Sequence, residues 1–134
     1  MVFTEAERAY LGSQPLARLA TVDADGRPQN NPVRYFVDAD TGTIEIWGMG
    51  MGKSRKFGNA RANPAVAVVV DDIVSTRPWR VRGIEVRGRA ETLTGQRPPY
   101  PYYSGEVIRI RPERIIAWGV ESDDAERTAR DVDT

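Results

Sequence analysis

The sequence predicts a mainly β fold. Short antiparallel strands close, or nearly close, into a barrel, with one short helix at the start and a second after the third strand. Three observations carry this reading. Apolar residues recur with period two in about seven runs, punctuated by Asp- and Gly-containing turns. Residues 65–70 (AVAVVV) form an apolar run with no polar face, as expected of a strand covered on both sides. With 134 residues there is room for one core only, and closing the sheet removes its exposed edges.

Thr4 followed by Glu7 is a capping box. It opens a helix over residues 5–11, anchored by Phe3, Tyr10 and Leu11 and ended by Gly12. Residues 16–22 (LARLATV) form the first strand, with Ala17, Leu19 and Thr21 on one face and Arg18 on the other. Asp23-Ala24-Asp25-Gly26 turns the chain into a second strand over residues 27–38, which Pro32 breaks before Val33, Tyr35 and Val37. Asp40-Thr41-Gly42 leads to a third strand (TIEIW, 43–47). A glycine-rich stretch, 48–52, precedes a helix over 53–62 closed by Asn63-Pro64. Asp71-Asp72 ends the Val-rich strand, and a loop through Pro78-Trp79 precedes a long strand over 81–93. Glu85, Arg87, Arg89 and Glu91 share its outer face. Two further strands follow, over 106–111 and 114–120. Residues 1–120 are read as one barrel domain and 121–134 as a flexible acidic tail.

Composition narrows the function. Nineteen basic and 19 acidic residues balance, whereas a nucleic-acid-binding domain usually carries a basic excess. No apolar run is long enough to span a bilayer, and the first residues lack the apolar stretch of a signal peptide. The expectation is a cytoplasmic protein with no membrane or nucleic-acid partner. Cysteine and histidine are both absent, which excludes disulfides, thiolate metal sites and His-based triads. If the protein is an enzyme, a bound cofactor carries the chemistry and the chain supplies position and electrostatics.

Three stretches are suited to holding such a group. WGMGMGKSRKFGN (47–59) is the strongest. Glycines allow close backbone approach, and the following helix aims free N–H groups at the loop. The only two lysines, Lys53 and Lys56, fall here with Ser54 and Arg55. Cations at a helix N-terminus oppose the dipole, and an anion would offset that cost. The alternative is a solvated basic turn. The second stretch, Gln29-Asn30-Asn31-Pro32, places three carboxamides in a half-buried strand, where they suit the donor and acceptor pattern of an isoalloxazine-like ring. The alternative is an edge strand bulged at Pro32. Third, Trp79 with Arg80 and Arg82 suits either stacking on a planar ligand or anchoring an interface. Residues 100–103 (YPYY) form either a lid or a rigid surface loop.

Taken in order, LARLATVDADGRPQNNPVRYFVDADTGTIEIW and GKSRKFGNARANPAVAVVVDD resemble the pyridoxamine 5′-phosphate oxidase-like superfamily of split β-barrel flavoproteins. The helix with lysines and asparagine, then a proline and a Val-rich strand, is most similar to the branch that binds the deazaflavin coenzyme F420. PWRVRGIEVRGRAE and IRIRPERIIAWGVE resemble a sub-branch related to reductases of polyketide antibiotic tailoring. The resemblance covers about residues 5–120.

It implies a homodimer of FMN-binding-like split barrels with the cofactor between the two copies. By position, Asn30, Asn31 and Pro32 would meet the ring system, and Trp47, Gly48 and Met49 would line its edge and side chain. Lys53, Ser54, Arg55, Lys56 and Asn59 would hold the phosphate, with Trp79 and Arg80 coming from the other copy. Vitamin B6 oxidation is disfavoured, because those enzymes use a C-terminal histidine and this chain has none. The implied reaction is hydride transfer between F420 and a small conjugated or polycyclic organic substrate. Such a step needs orientation more than a protein base, with a proton from solvent, Tyr35 or a tyrosine of the 100–103 loop. The alternatives are an FMN-binding oxidoreductase and a non-catalytic flavin- or tetrapyrrole-binding module.

Overall fold

A computed structural model describes residues 1–121 and 126–133. Its elements are α1 (Glu5–Ser13), β1 (Ala17–Val22), β2 (Pro28–Val33), β3 (Tyr35–Asp38), β4 (Thr43–Ile46), a 3₁₀ turn (Met51–Lys53), α2 (Arg55–Ala62), β5 (Ala65–Thr76), β6 (Trp79–Leu93), β7 (Val107–Trp118) and β8 (Arg127–Asp131). All eight strands join one antiparallel sheet in the order β2-β1-β5-β6-β7-β4-β3, with β8 also on β7. The sheet curls into a split barrel around a core that includes Leu19, Ile44, Ile46, Val68, Ile84, Ile108 and Ile110, all at most 1% exposed. Period-two alternation decides which side chains enter: Ala17, Leu19 and Thr21 point in from β1, and Val66, Val68 and Val70 from β5. Among the described residues, no helix is long and apolar enough to cross a membrane.

Three strand boundaries differ from the sequence reading. β5 runs on through Asp71 and Asp72 to Thr76, because both carboxylates find partners on neighbouring strands. Arg18 reaches Asp71 at 2.7 Å, while Arg82 and the Tyr10 hydroxyl donate to Asp72 at 2.8 and 2.7 Å. The Val-rich run is buried on one face and half-covered on the other, not buried on both. The strands expected over 106–111 and 114–120 are one, β7; Pro112 is accommodated opposite Gly88, where the register shifts. The break expected at Pro32 falls two residues later, at Arg34, between β2 and β3.

The segment 121–134, expected to be a flexible tail, carries β8, so the barrel domain extends past residue 120. Its anchor is electrostatic. The capping box at Thr4 forms as expected, with Glu7 N–H donating to Thr4 Oγ1 at 3.1 Å and Thr4 N–H to Glu7 Oε1 at 2.9 Å. The Glu7 carboxylate, 1% exposed, also accepts both terminal nitrogens of Arg130 from β8, at 2.8 and 2.7 Å. Asp123 and Asp124, part of the expected acidic tail, lie outside the described residues.

Burial pushes the Glu7 carboxyl up, but hydrogen bonds from Arg130 and the Thr4 N–H outweigh it and hold the group below its ordinary 4.5. A depressed folded-state pKa stabilises at pH above the ordinary carboxylate range and ceases to do so as pH falls through it. Arg130→Ala should therefore cost about 2 kcal/mol at pH 7, reduced from a fully buried pair because the guanidinium is 37% exposed. In urea titrations, the gap between wild type and variant should close as pH falls below 4.5. A gap that persists at pH 3 would show that the guanidinium acts through packing instead.

Candidate functional site

The glycine-rich loop owes much of its composition to its own geometry. Gly50 takes φ +65°, which a side chain would disfavour. Gly52 leaves room for Glu106: its N–H donates to Glu106 Oε1 at 2.9 Å, and a Cβ there would lie 2.8 Å from the same oxygen. Ser104 ties the other side, since its hydroxyl donates to Gly48 O at 3.0 Å and accepts Met51 N–H at 2.9 Å. Neither Ser104 nor Glu106 carries a sequence signal of this role. Trp47 is buried and donates its indole N–H to Glu45 at 3.3 Å, so it supports the loop from behind; Met49, 78% exposed, is the side chain the loop presents.

Lys53 lies in the 3₁₀ turn and not in the helix. Ser54 is the N-cap of α2: its hydroxyl accepts Phe57 N–H at 3.3 Å and donates to Met51 O at 2.6 Å. That hydroxyl is committed to the backbone, so the groups here that could receive an anion are the cations and the free N–H groups opening α2. Asn59 also has a structural task. Its Nδ2 donates to Thr21 Oγ1 at 3.1 Å and Gln29 Oε1 at 2.7 Å, which fixes α2 against β1 and β2. Lys56 lies one turn earlier on the same helix face. The side chains of Lys53, Arg55 and Lys56 make no hydrogen bond or ion pair with the described residues.

β2 is an edge strand, consistent with Pro32 lacking an N–H. Asn30 and Pro32 are exposed, and Asn31 is half-buried with its Oδ1 buried and unpartnered, alone among buried side-chain polar atoms of the described residues. A missing donor at such a group costs about 1–3 kcal/mol. Partnerless cations and an orphan carboxamide oxygen are the donor set that a ring system with an N–H and a phosphate would complete.

Trp79 and Arg80 do not join this group within one chain. They sit at the tip of the β5–β6 hairpin, where Thr76 pairs with Trp79, whereas α2 enters β5 at its other end, opposite Arg89. Eleven residues of strand separate the two ends by roughly 36 Å. From Ile73 to Val81 the hairpin has no third strand beside it among the described residues, and Ile73, Val74 and Trp79 are 56, 50 and 65% exposed. Arg82 is engaged with Asp72 and the Tyr10 ring. Tyr35 shares its hydroxyl proton between Leu11 O and Gln14 O, at 2.5 and 2.9 Å, and burial pushes its pKa up to about 12, so it ties α1 to β3.

A second feature lies away from the cationic loop. It is an open groove of about 1250 Å³ between α1 and β3, with Leu11, Leu16, Arg34 and Phe36 among its walls. At its β3 side the tyrosine loop packs on Arg34. Ser104 at the foot of that loop holds it to Gly48, so it is anchored.

A family model described as pyridoxamine 5′-phosphate oxidase matches residues 3–130. Among curated proteins, the chain is 48% identical over 124 residues to a 5a,11a-dehydrotetracycline/5a,11a-dehydrooxytetracycline reductase of Streptomyces rimosus, a span of 92% of this chain and 87% of that protein. Among solved structures, an F420 reductase aligns with TM-score 0.64 at 25% identity, over 84% of this chain and 98% of the other. A heme-binding protein of Mycobacterium smegmatis aligns with TM-score 0.70 at 16% identity, over 98% and 59%, a likeness of fold alone.

Asn59→Ala removes both bonds that seat α2 on the sheet. It should lower stability by about 1–3 kcal/mol in urea titration, and amide exchange should speed up in α2 more than in β6 and β7. Uniform acceleration across the sheet would mean that Asn59 does not position α2 locally.

Proposed function

This chain belongs to the pyridoxamine 5′-phosphate oxidase family, and we propose that within it the protein is an oxidoreductase passing a hydride between coenzyme F420 and a small conjugated or polycyclic organic substrate. The observation that carries the reading is the group Lys53, Arg55 and Lys56, three cations without partners among the described residues, at the end of the barrel that also holds Asn31. The 48% identity to a dehydrotetracycline reductase supports the reaction class, and the F420 reductase among the structural neighbours supports the carrier.

Bound and reduced, the deazaflavin would supply the hydride from its C5. This chain's residues bind and orient. Lys56 and the free N–H groups opening α2 would take the phosphate, with Lys53 and Arg55 facing the anionic tail beyond it. Asn31 would accept an N–H from the ring. We further propose a homodimer, supported by the apolar hairpin arm and by Trp79 and Arg80 lying too far along β5 and β6 to reach α2 of their own chain. In a two-fold arrangement, each arm would complete the other copy's site.

F420 carries a phosphodiester and a lactyl-oligoglutamate tail, whereas FMN carries one phosphate. Affinity for F420 should therefore fall more steeply with salt than affinity for FMN, because exposed charges are screened within about 8–10 Å. Lys56→Ala should weaken F420 at least about tenfold with little change in melting temperature. Tighter FMN binding at every ionic strength in parallel titrations would move the assignment to FMN. Sedimentation should give a dimer at micromolar concentration. A monomer that still binds cofactor fully would reject the shared site.

A further inference from the structure

We propose that Arg34 selects the substrate: its guanidinium receives an anionic oxygen, phenolate or enolate, of a planar fused-ring molecule whose rings lie against Tyr100 and Tyr102. This rests on the reading above and specifies the substrate class of that site.

The guanidinium is presented, not neutralised. Arg18, Arg82, Arg87, Arg109, Arg114 and Arg130 all pair with carboxylates. Arg34 is exposed and forms no ion pair with the described residues; its partners are phenols. Its nitrogens reach the hydroxyls of Tyr102, Tyr103 and Tyr100 at 3.4, 3.4 and 3.5 Å, the long limit of a hydrogen bond. Its carbon lies 5.2 Å from the Phe36 ring centre and 4.9 Å from that of Tyr100. Aromatic faces hold a cation in place without cancelling its charge, so the group remains available to an incoming anion.

The surroundings specify what accompanies the anion. Tyr100 and Tyr102 stack nearly parallel, 8° apart with centres at 5.4 Å, and both are exposed, 38 and 53%. They stand on a loop stiffened by Pro98, Pro99 and Pro101 and pinned to Gly48 through Ser104. The position also fits. Arg34 lies between β2 and β3, three residues beyond Asn31, and precedes Tyr35, which pairs with Ile46; Gly48, to which Ser104 ties the tyrosine loop, follows Ile46 by two residues. Arg34 and Phe36 also form one wall of the 1250 Å³ groove, which has room for several fused rings. Pre-oriented aromatic surface, a mobile-anion counter-charge and an adjacent ring-binding carboxamide suit a conjugated substrate whose charge is spread over an oxygen.

The test uses calorimetric titration of the purified full chain with 2,4-dinitro-1-naphtholate, a planar fused-ring phenolate at neutral pH, and with neutral 1-naphthol, in wild type, Arg34→Gln, Arg34→Ala and Tyr102→Ala, alongside F420 titration of each. Wild type should prefer the anion. Both Arg34 variants should lose about tenfold or more for the anion and less than about twofold for the neutral ring, while F420 affinity is retained. Tyr102→Ala should weaken both probes alike. Circular dichroism reports folding, and Arg34→Gln retains hydrogen-bonding capacity should the alanine variant unfold. Loss of both probes in equal measure in the Arg34 variants, or no loss, overturns the proposal. F420 binding with an Arg34-independent probe removes this site alone. A probe that needs Arg34 in a protein that binds no F420 removes the carrier assignment and retains the site.

Discussion

β6 is paired along nearly its whole length, with β5 on one side and β7 on the other, and the arrangement of the molecule follows from that ladder. A strand of 15 residues spans roughly 50 Å, far more than one small core needs. The inner stretch, through Ile84, Val86 and Ala90, closes the barrel. The outer stretch continues with β5 alone beyond the third strand. The ladder thus sorts the chain into two ends. At one end lie the glycine loop, the start of α2, the β2 carboxamides and the tyrosine loop. At the other lie Trp79 and Arg80. In the proposed dimer, a second copy would bring the two ends into one place.

At the crowded end, neighbouring segments hold one another through backbone groups. Ser104 and Glu106, just before β7, take N–H and C=O groups of the glycine loop, and Ser54 takes another at the start of α2. Asn59 then ties α2 to β1 and β2. Several polar side chains are consumed in building the frame, and among the described residues those left uncommitted at this end include the cations Lys53, Arg55 and Lys56, the phenol-held Arg34 and the orphaned Asn31 Oδ1. Anionic ligands match the cations of that remainder.

Much of this was legible in the residues. The capping box, the faces of β1, β4 and β6, and the placing of both lysines beside a helix start all depend on local spacing, and all appear as read. What escaped depends on partners distant in sequence. Asp71 and Asp72 look like a strand end until Arg18, Arg82 and Tyr10 arrive to satisfy them. Pro112 looks like a break until Gly88 is set opposite it. An acidic, polar segment looks frayed until Arg130 meets a carboxylate buried under α1. The same holds for the site. Ser54 and Asn59 are good ligand residues by type, and only the fold shows that their polar atoms serve the backbone and the sheet. Arg34 carried a faint signal, a lone cation between Val33 and Tyr35 in a chain rich in downstream tyrosines, and no local rule links it to residues 66–69 positions away.

The pairing of Glu7 with Arg130 also bears on how the chain comes off the ribosome. The first helix can form as soon as it emerges, since its cap is local. Its buried carboxylate must wait for a guanidinium synthesised 123 residues later. Until then, closing α1 over the barrel would bury an unpaired charge, so a nascent chain lacking β8 favours an open arrangement with α1 undocked. Docking of the first element is thereby coupled to delivery of the last strand, and a prematurely terminated product would show its exposed core to chaperones and proteases.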